Sequence, residues 1–126
     1  MSTPIKVKTV DTHEAQKDES MEKQKEMIAQ NFERLAHAKE RGEKVSYTFV
    51  PGNLNELVMC FDMVGNYPEI NALQHGMRKK TGAFIMEAER SGHSEDVCTY
   101  VKSDIGMLRK GNVGPTGQPL PEPDLL

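Results

Sequence analysis

The densest chemistry in the chain lies in Gly92-His93-Ser94-Glu95-Asp96-Val97-Cys98-Thr99-Tyr100-Val101-Lys102, which puts an imidazole, two carboxylates, a thiol, a phenol and an amine close together. Ser94 is a plausible cap for a helix through this segment, so Cys98 falls near the helix start. There the backbone N–H groups have no partner within the helix and the dipole is positive, a setting that favours an anionic sulfur, the form iron requires. By residue type alone, a cysteine is more often a small buried hydrophobe. His93 and the Glu95–Asp96 pair are likewise more often surface or capping groups.

The other candidates are weaker. Cys60 sits in Leu57-Val-Met-Cys-Phe-Asp-Met-Val64, among apolar neighbours, and a core role is expected. Two cysteines cannot complete a four-cysteine metal site, so any remaining ligands must come from elsewhere. His13, His37 and His75 are scattered without ligand spacing. The Gly111–Gly117 stretch lacks the Gly-Lys-Ser/Thr ending of a phosphate loop. No Ser/His/Asp arrangement can be argued.

The elements that must position these residues follow from pattern. Residues 1–19 are polar and mixed in charge, and a disordered tail is expected. A helix is predicted from a Ser20 cap to about Arg41, with Met27, Ile28, Phe32, Leu35 and Ala36 on one face and Gly42 as its stop. Val45–Val50 is β-branched and aromatic and reads as a short strand ended by Pro51-Gly52. Asn53 is expected to cap a helix whose apolar face is Leu54, Leu57, Val58, Phe61 and Val64, closed by Gly65-Asn66. Tyr67–Ile70 is expected to be extended. A second long helix is predicted over Asn71–Arg90, weakened by Gly76 and Gly82 and ended by Ser91-Gly92. The last helix runs from Ser94 to Leu108, with Val97, Val101, Ile105 and Leu108 as its stripe.

Gly111–Pro123 is a Gly- and Pro-rich connector, and Asp124-Leu125-Leu126 reads as the start of a buried parallel strand cut short at Leu126. An apolar tail that simply docks is the other reading. The expected organisation is therefore a tail over 1–19, a helical part over 20–110, and a connector into a truncated strand over 111–126.

Composition sets outer bounds. The chain has 126 residues, 37% apolar and 28% charged, with 16 basic residues against 19 acidic ones and a net charge of −3. This suits one modest domain on the polar side of the globular range. No basic stripe supports nucleic-acid binding. No apolar run reaches the roughly 18 residues of a membrane span, and the first residues lack the apolar stretch of a secretory signal, so a cytoplasmic chain is expected. Eight methionines and no tryptophan suggest an adaptable interior.

Three stretches, Phe49–Val64, Pro68–Gln74 and Gly92–Lys102, resemble the B-subunit family of class I, ATP-dependent benzoyl-CoA reductases and, more distantly, the 2-hydroxyacyl-CoA dehydratase family. The resemblance covers about residues 20–126 and only the first part of a longer family chain. It implies an α/β subunit with Rossmann-like lobes, of which this part would be mostly helical with short strands. It also implies a 4Fe-4S cluster beside a thioester site, a homologous cluster-binding partner subunit in a hetero-oligomer, and an ATP-hydrolysing activase that delivers electrons from ferredoxin. The implied activity is two-electron reduction of the benzoyl-CoA ring to a cyclic dienoyl-CoA in anaerobic aromatic degradation. Cys98 matches the family cysteine that ligates iron, whereas Cys60 takes no ligand role from the resemblance. Many dehydratases carry a further cysteine upstream, where this chain reads Asn66-Tyr-Pro-Glu-Ile-Asn-Ala72, so the other ligands would lie outside the chain and this part alone would be inactive. A 2-hydroxyacyl-CoA dehydratase subunit is the alternative implied, and a metal-free helical interaction module is a second.

Overall fold

The computed structural model describes residues 18–126. The expected tail lies, but for Asp18 and Glu19, outside the described residues. Asp18 caps helix α1 (Glu19–Ala36), its carboxylate accepting from the Ser20 amide at 3.0 Å. The cap is thus two residues earlier than expected, because an aspartate at the Ncap position accepts from the N2 amide and also meets the positive end of the dipole. Residues 37–42 continue as hydrogen-bonded turns, and Gly42 at φ +74° ends them.

Two short strands, β1 (Val45–Tyr47) and β2 (Val64–Asn66), pair in parallel with Val45 opposite Val64 and Tyr47 opposite Asn66. A parallel pair needs a crossover, and α2 (Asn55–Cys60) supplies it. Val64 was expected on the apolar face of that helix; it is instead buried in the sheet. The helix stops at Cys60 because Asp62 takes a left-handed conformation, φ +52°, which aspartate tolerates better than most residues. The remaining apolar residues of α2 are left on the surface, with Phe61 just beyond it 68% exposed.

Tyr67–Ile70 is not extended: Pro68 opens α3 (Pro68–Met77) at its first turn. The fixed φ of proline and its missing N–H suit that position. The long helix expected over Asn71–Arg90 is two helices, α3 and α4 (Thr81–Arg90). Lys79 at φ +56° breaks them, its amide donating to Gly76 O at 2.9 Å while the Lys80 amide donates to His75 O at 3.0 Å. These bonds satisfy the last carbonyls of α3.

The final helix, α5 (Thr99–Arg109), buries Lys102, Ser103, Gly106 and Met107 rather than the expected Val97, Val101, Ile105 and Leu108. The physical reason is Gly106. A Cβ there would lie 1.9 Å from the Phe84 carbonyl oxygen of α4, so the helices meet backbone to backbone at that residue and the whole face is rotated to follow. Met107 joins Phe32, Leu35, Ala38, Val45, Val64 and Leu120 in one core, against which Ile28, Tyr47 and Phe84 pack.

Beyond α5 the connector folds back, with the Leu120 amide donating to Asn112 O at 2.8 Å and Tyr47 Oη to Pro121 O at 2.6 Å. Leu125 then bridges in parallel to Ser46, on the edge of β1 opposite β2, and accepts from the Tyr47 amide at 2.8 Å. Helices make up about half of the described residues and the sheet is small.

Gly106→Ala separates two opposed effects. Helix propensity favours alanine by about 1 kcal/mol, whereas overpacking a rigid backbone contact costs about 1–3 kcal/mol or more. A net loss of stability is expected in urea denaturation. A variant at least as stable as the parent would refute the backbone contact.

Candidate functional site

The site is built from the junction of α4 and α5. Gly92 at φ +98° ends α4, its amide donating to Glu89 O at 3.0 Å, and His93 N donates to Ala88 O at 3.2 Å. Ser91 Oγ adds a bond to Ala88 O at 2.7 Å. Ser94 does not cap α5 as expected. It closes the turn before it, accepting from the Asp96 amide on Oγ and the Val97 amide on its carbonyl, both at 3.2 Å. Cys98 is the cap residue of α5, with φ −46° and ψ 132°, and its side chain makes no capping bond. Its thiol is free and its residue is exposed, so the buried-hydrophobe reading does not hold.

Lys102 ties this loop down. Its side chain is only 4% exposed, and Nζ donates to Glu89 Oε1 at 2.7 Å and to Glu95 O at 2.8 Å. Its backbone amide donates to Cys98 O at 3.0 Å. An ammonium is buried at tolerable cost only when paired and hydrogen-bonded, and here both conditions are met. His93, Glu95 and Asp96 point no convergent set of ligands at Cys98: among the described residues no group of three or more His, Cys, Asp or Glu is placed to hold a metal.

Cys60 was expected in the core and is exposed and free, because α2 buries none of its residues. His37 is a surface group between Glu33 and Glu40, and the hydrogen bond to Glu40 raises its pKa. His75 is buried edge-on to Phe84, centroids 4.9 Å apart, and burial, followed by the Lys80 charge, lowers its pKa. His13 lies outside the described residues. An apolar groove of about 740 Å³ runs between α1 and α3, lined by Met27, Ile28, Phe32, Tyr67 and Ile70, and does not include Cys98.

Sequence reasoning missed two features. One is Lys102, whose signal was its place one turn after Cys98, in step with the small residues Ser103 and Gly106. The other is a buried polar group: Asn71 Nδ2 donates to Asn66 Oδ1 at 3.0 Å, and Tyr47, Asn112 and Asp104 lie beside it. Burial pushes the Asp104 carboxyl up to about 6.

The arrangement defines first a class: an α/β segment that presents one free thiol at the start of a helix and joins two helices through a pinned loop. No family model matches the chain. Over 110 residues, 87% of this chain and 26% of the relative, it is 67% identical to the B subunit of benzoyl-CoA reductase from Thauera aromatica. Over 103 residues, 80% of this chain and 24% of the relative, it is 30% identical to the (R)-2-hydroxyisocaproyl-CoA dehydratase alpha subunit of Clostridioides difficile. The resemblance read from the three stretches is therefore shown: the chain is a relative of the benzoyl-CoA reductase B subunit, within a family that includes that dehydratase subunit. It spans about a quarter of the length of the curated relatives it matches. Among the described residues no helix is long and apolar enough to cross a membrane.

Asp104 gives a pH test of the interior. Its folded pKa of about 6 lies above the ordinary 3.8, so the folded state holds the proton more tightly. Its contribution is fully present below pH 4 and is lost as pH rises through 6. Asp104→Asn removes this dependence, and above pH 7 the variant should be more stable by about 1–2 kcal/mol after allowance for solvent screening. Parallel stability curves for parent and variant between pH 4 and 7 would show that Asp104 does not titrate in this range.

Proposed function

We propose that this chain is part of a subunit of a ferredoxin-dependent, ATP-driven benzoyl-CoA reductase, which reduces the aromatic ring of benzoyl-CoA to a cyclic dienoyl-CoA. The observation that supports this is the 67% identity over 110 residues to the B subunit of a benzoyl-CoA reductase. A continuous span of that length in a chain of 126 residues necessarily includes Cys98. In this reading the full-length subunit has Rossmann-like α/β lobes and works in the cytoplasm with a homologous cluster-binding subunit. ATP and ferredoxin are used through activase subunits.

Cys98 is the residue of this chain that would hold a 4Fe-4S cluster. Its exposed, uncapped thiol beside the free first-turn amides of α5 suits one iron ligand, and those amides suit hydrogen bonding to an anionic sulfur. Among the described residues no group of three or more His, Cys, Asp or Glu is placed to hold a metal, and in this reading the other ligands come from outside this chain. When bound, the cluster supplies single electrons at low potential. This chain's part is to present the Cys98 sulfur at the head of α5, where α5 packs on α4.

A second reading is a 2-hydroxyacyl-CoA dehydratase subunit, favoured by the 30% identity to such a subunit. The two share the thioester class and differ in whether the ring is reduced or water is expelled. Turnover of benzoyl-CoA against a 2-hydroxyacyl-CoA by the anaerobically purified assembly separates them.

Iron content tests the ligand. In the full-length subunit purified under strict anaerobiosis, Cys98→Ser should lose most of its iron and acid-labile sulfide, and Cys60→Ser should keep both. Equal iron in Cys98→Ser and the parent would remove Cys98 from the ligand set. An iron-free parent would favour a metal-free helical module.

A further inference from the structure

We infer that Lys102 is a positioning residue for Cys98, an inference that rests on the reading of Cys98 as an iron ligand. A lysine on a helix that faces solvent extends its stem along the surface and keeps the ammonium in water. Lys102 does the opposite. Its side chain is 4% exposed, and its ammonium lies inside the α4–α5 junction on Glu89 Oε1 and Glu95 O, at 2.7 and 2.8 Å. Glu89 is 31% exposed at its side chain, so the ion pair sits at the edge of the core, with the cation as the buried member.

The two anchors bracket the cysteine's approach. The side chain of Lys102 holds the carbonyl of Glu95, and its backbone amide holds the carbonyl of Cys98. Between them Ser94 accepts from the amides of Asp96 and Val97, which fixes the turn. The backbone from Glu95 to Cys98 is thus tied at both ends to one residue of α5 and, through Glu89, to α4. An apolar residue at position 102 would fill the same space and leave the Glu95 carbonyl without its donor. Replacing buried ion pairs by apolar groups is often neutral for stability, so the lysine is better explained by where it holds the loop than by how much it stabilises the fold.

The test uses the full-length subunit, first freed of iron and then reconstituted anaerobically. Lys102→Met is paired with Lys102→Met/Glu89→Gln, which leaves no uncompensated charge if the single variant folds poorly. In the iron-free protein, hydrogen exchange at the Asp96 and Val97 amides should quicken about tenfold while α4 and α5 keep their protection. After reconstitution, iron should bind in the parent's amount, with a changed electron paramagnetic resonance spectrum and a shifted reduction potential. Quicker exchange with an unchanged spectrum and potential would overturn the positioning role and leave the ligand reading intact. Unchanged exchange, or loss of protection throughout α4 and α5 in both variants, would overturn it too. Iron retained in Cys98→Ser would instead mean that the ligand reading itself had failed.

Discussion

The structure depends most on the contact between Gly106 and the backbone of Phe84. Without a side chain at 106, α5 lies against α4 at a distance that even a methyl group would prevent. Helical spacing then carries Lys102, one turn earlier, onto the same face and within reach of Glu89, and it turns Met107 into the main core. Phe84, whose carbonyl defines the contact, packs against that core and edge-on against His75 of α3. One missing Cβ therefore sets the face of α5 that is buried, the partner of its lysine and the attachment of the helix pair to the sheet.

The sheet is held by a different device. Parallel strands of three residues offer few hydrogen bonds, and the edge of β1 away from β2 is taken up by Leu125. Asp124 secures that approach. Its carboxylate accepts from the Val45 amide at 2.8 Å and from Lys44 Nζ at 3.2 Å, and it is bonded to Lys39. The bond to Lys39 and then the Val45 amide hold this carboxyl well below the usual range. A carboxyl with a lowered folded pKa contributes above its ordinary pKa and loses that contribution progressively as pH falls from there through the lowered value. Asp104 has the opposite sign, since burial without a compensating partner raises it. The chain therefore carries one carboxylate that is most useful charged and one that is least costly protonated.

Much of the fold was legible because it rests on local chemistry. Gly92 stops a helix where the pattern placed it, Val45–Tyr47 forms a strand, and Cys98 stands at the start of the last helix, whereas the first helix ends at Ala36 and Gly42 closes only the turns that follow it. What the sequence hid were choices decided by geometry at a distance. Pro68 restrains the residue before it and equally suits a first helical turn, and only the tight step from β2 into α3 selects the second role. Lys79 shows no sign that it will adopt a left-handed conformation; the break follows from the need to fold α4 back. Val64 fits a helical stripe as well as a strand, and its pairing with Val45 decides. The stripe of α5 was misjudged by one position because an apolar count ignores glycine, and here glycine marks the buried side.

The same lesson bears on the candidate site. Cys98 was found by its place near a helix start, a local property, whereas Lys102 was noted only as an amine in the same stretch and its burial was not foreseen. A lone exposed thiol on a loose loop would be a poor fixed point for chemistry, because ordering the loop would oppose each binding event. In this chain the loop is held by hydrogen bonds from within the fold, through Ser94, Glu95, Glu89 and Lys102. The apolar groove between α1 and α3 lies elsewhere and does not include Cys98. What the α4–α5 pair offers is one cysteine thiol at the head of α5, on a loop that Lys102 ties to Glu95 and, through Glu89, to α4.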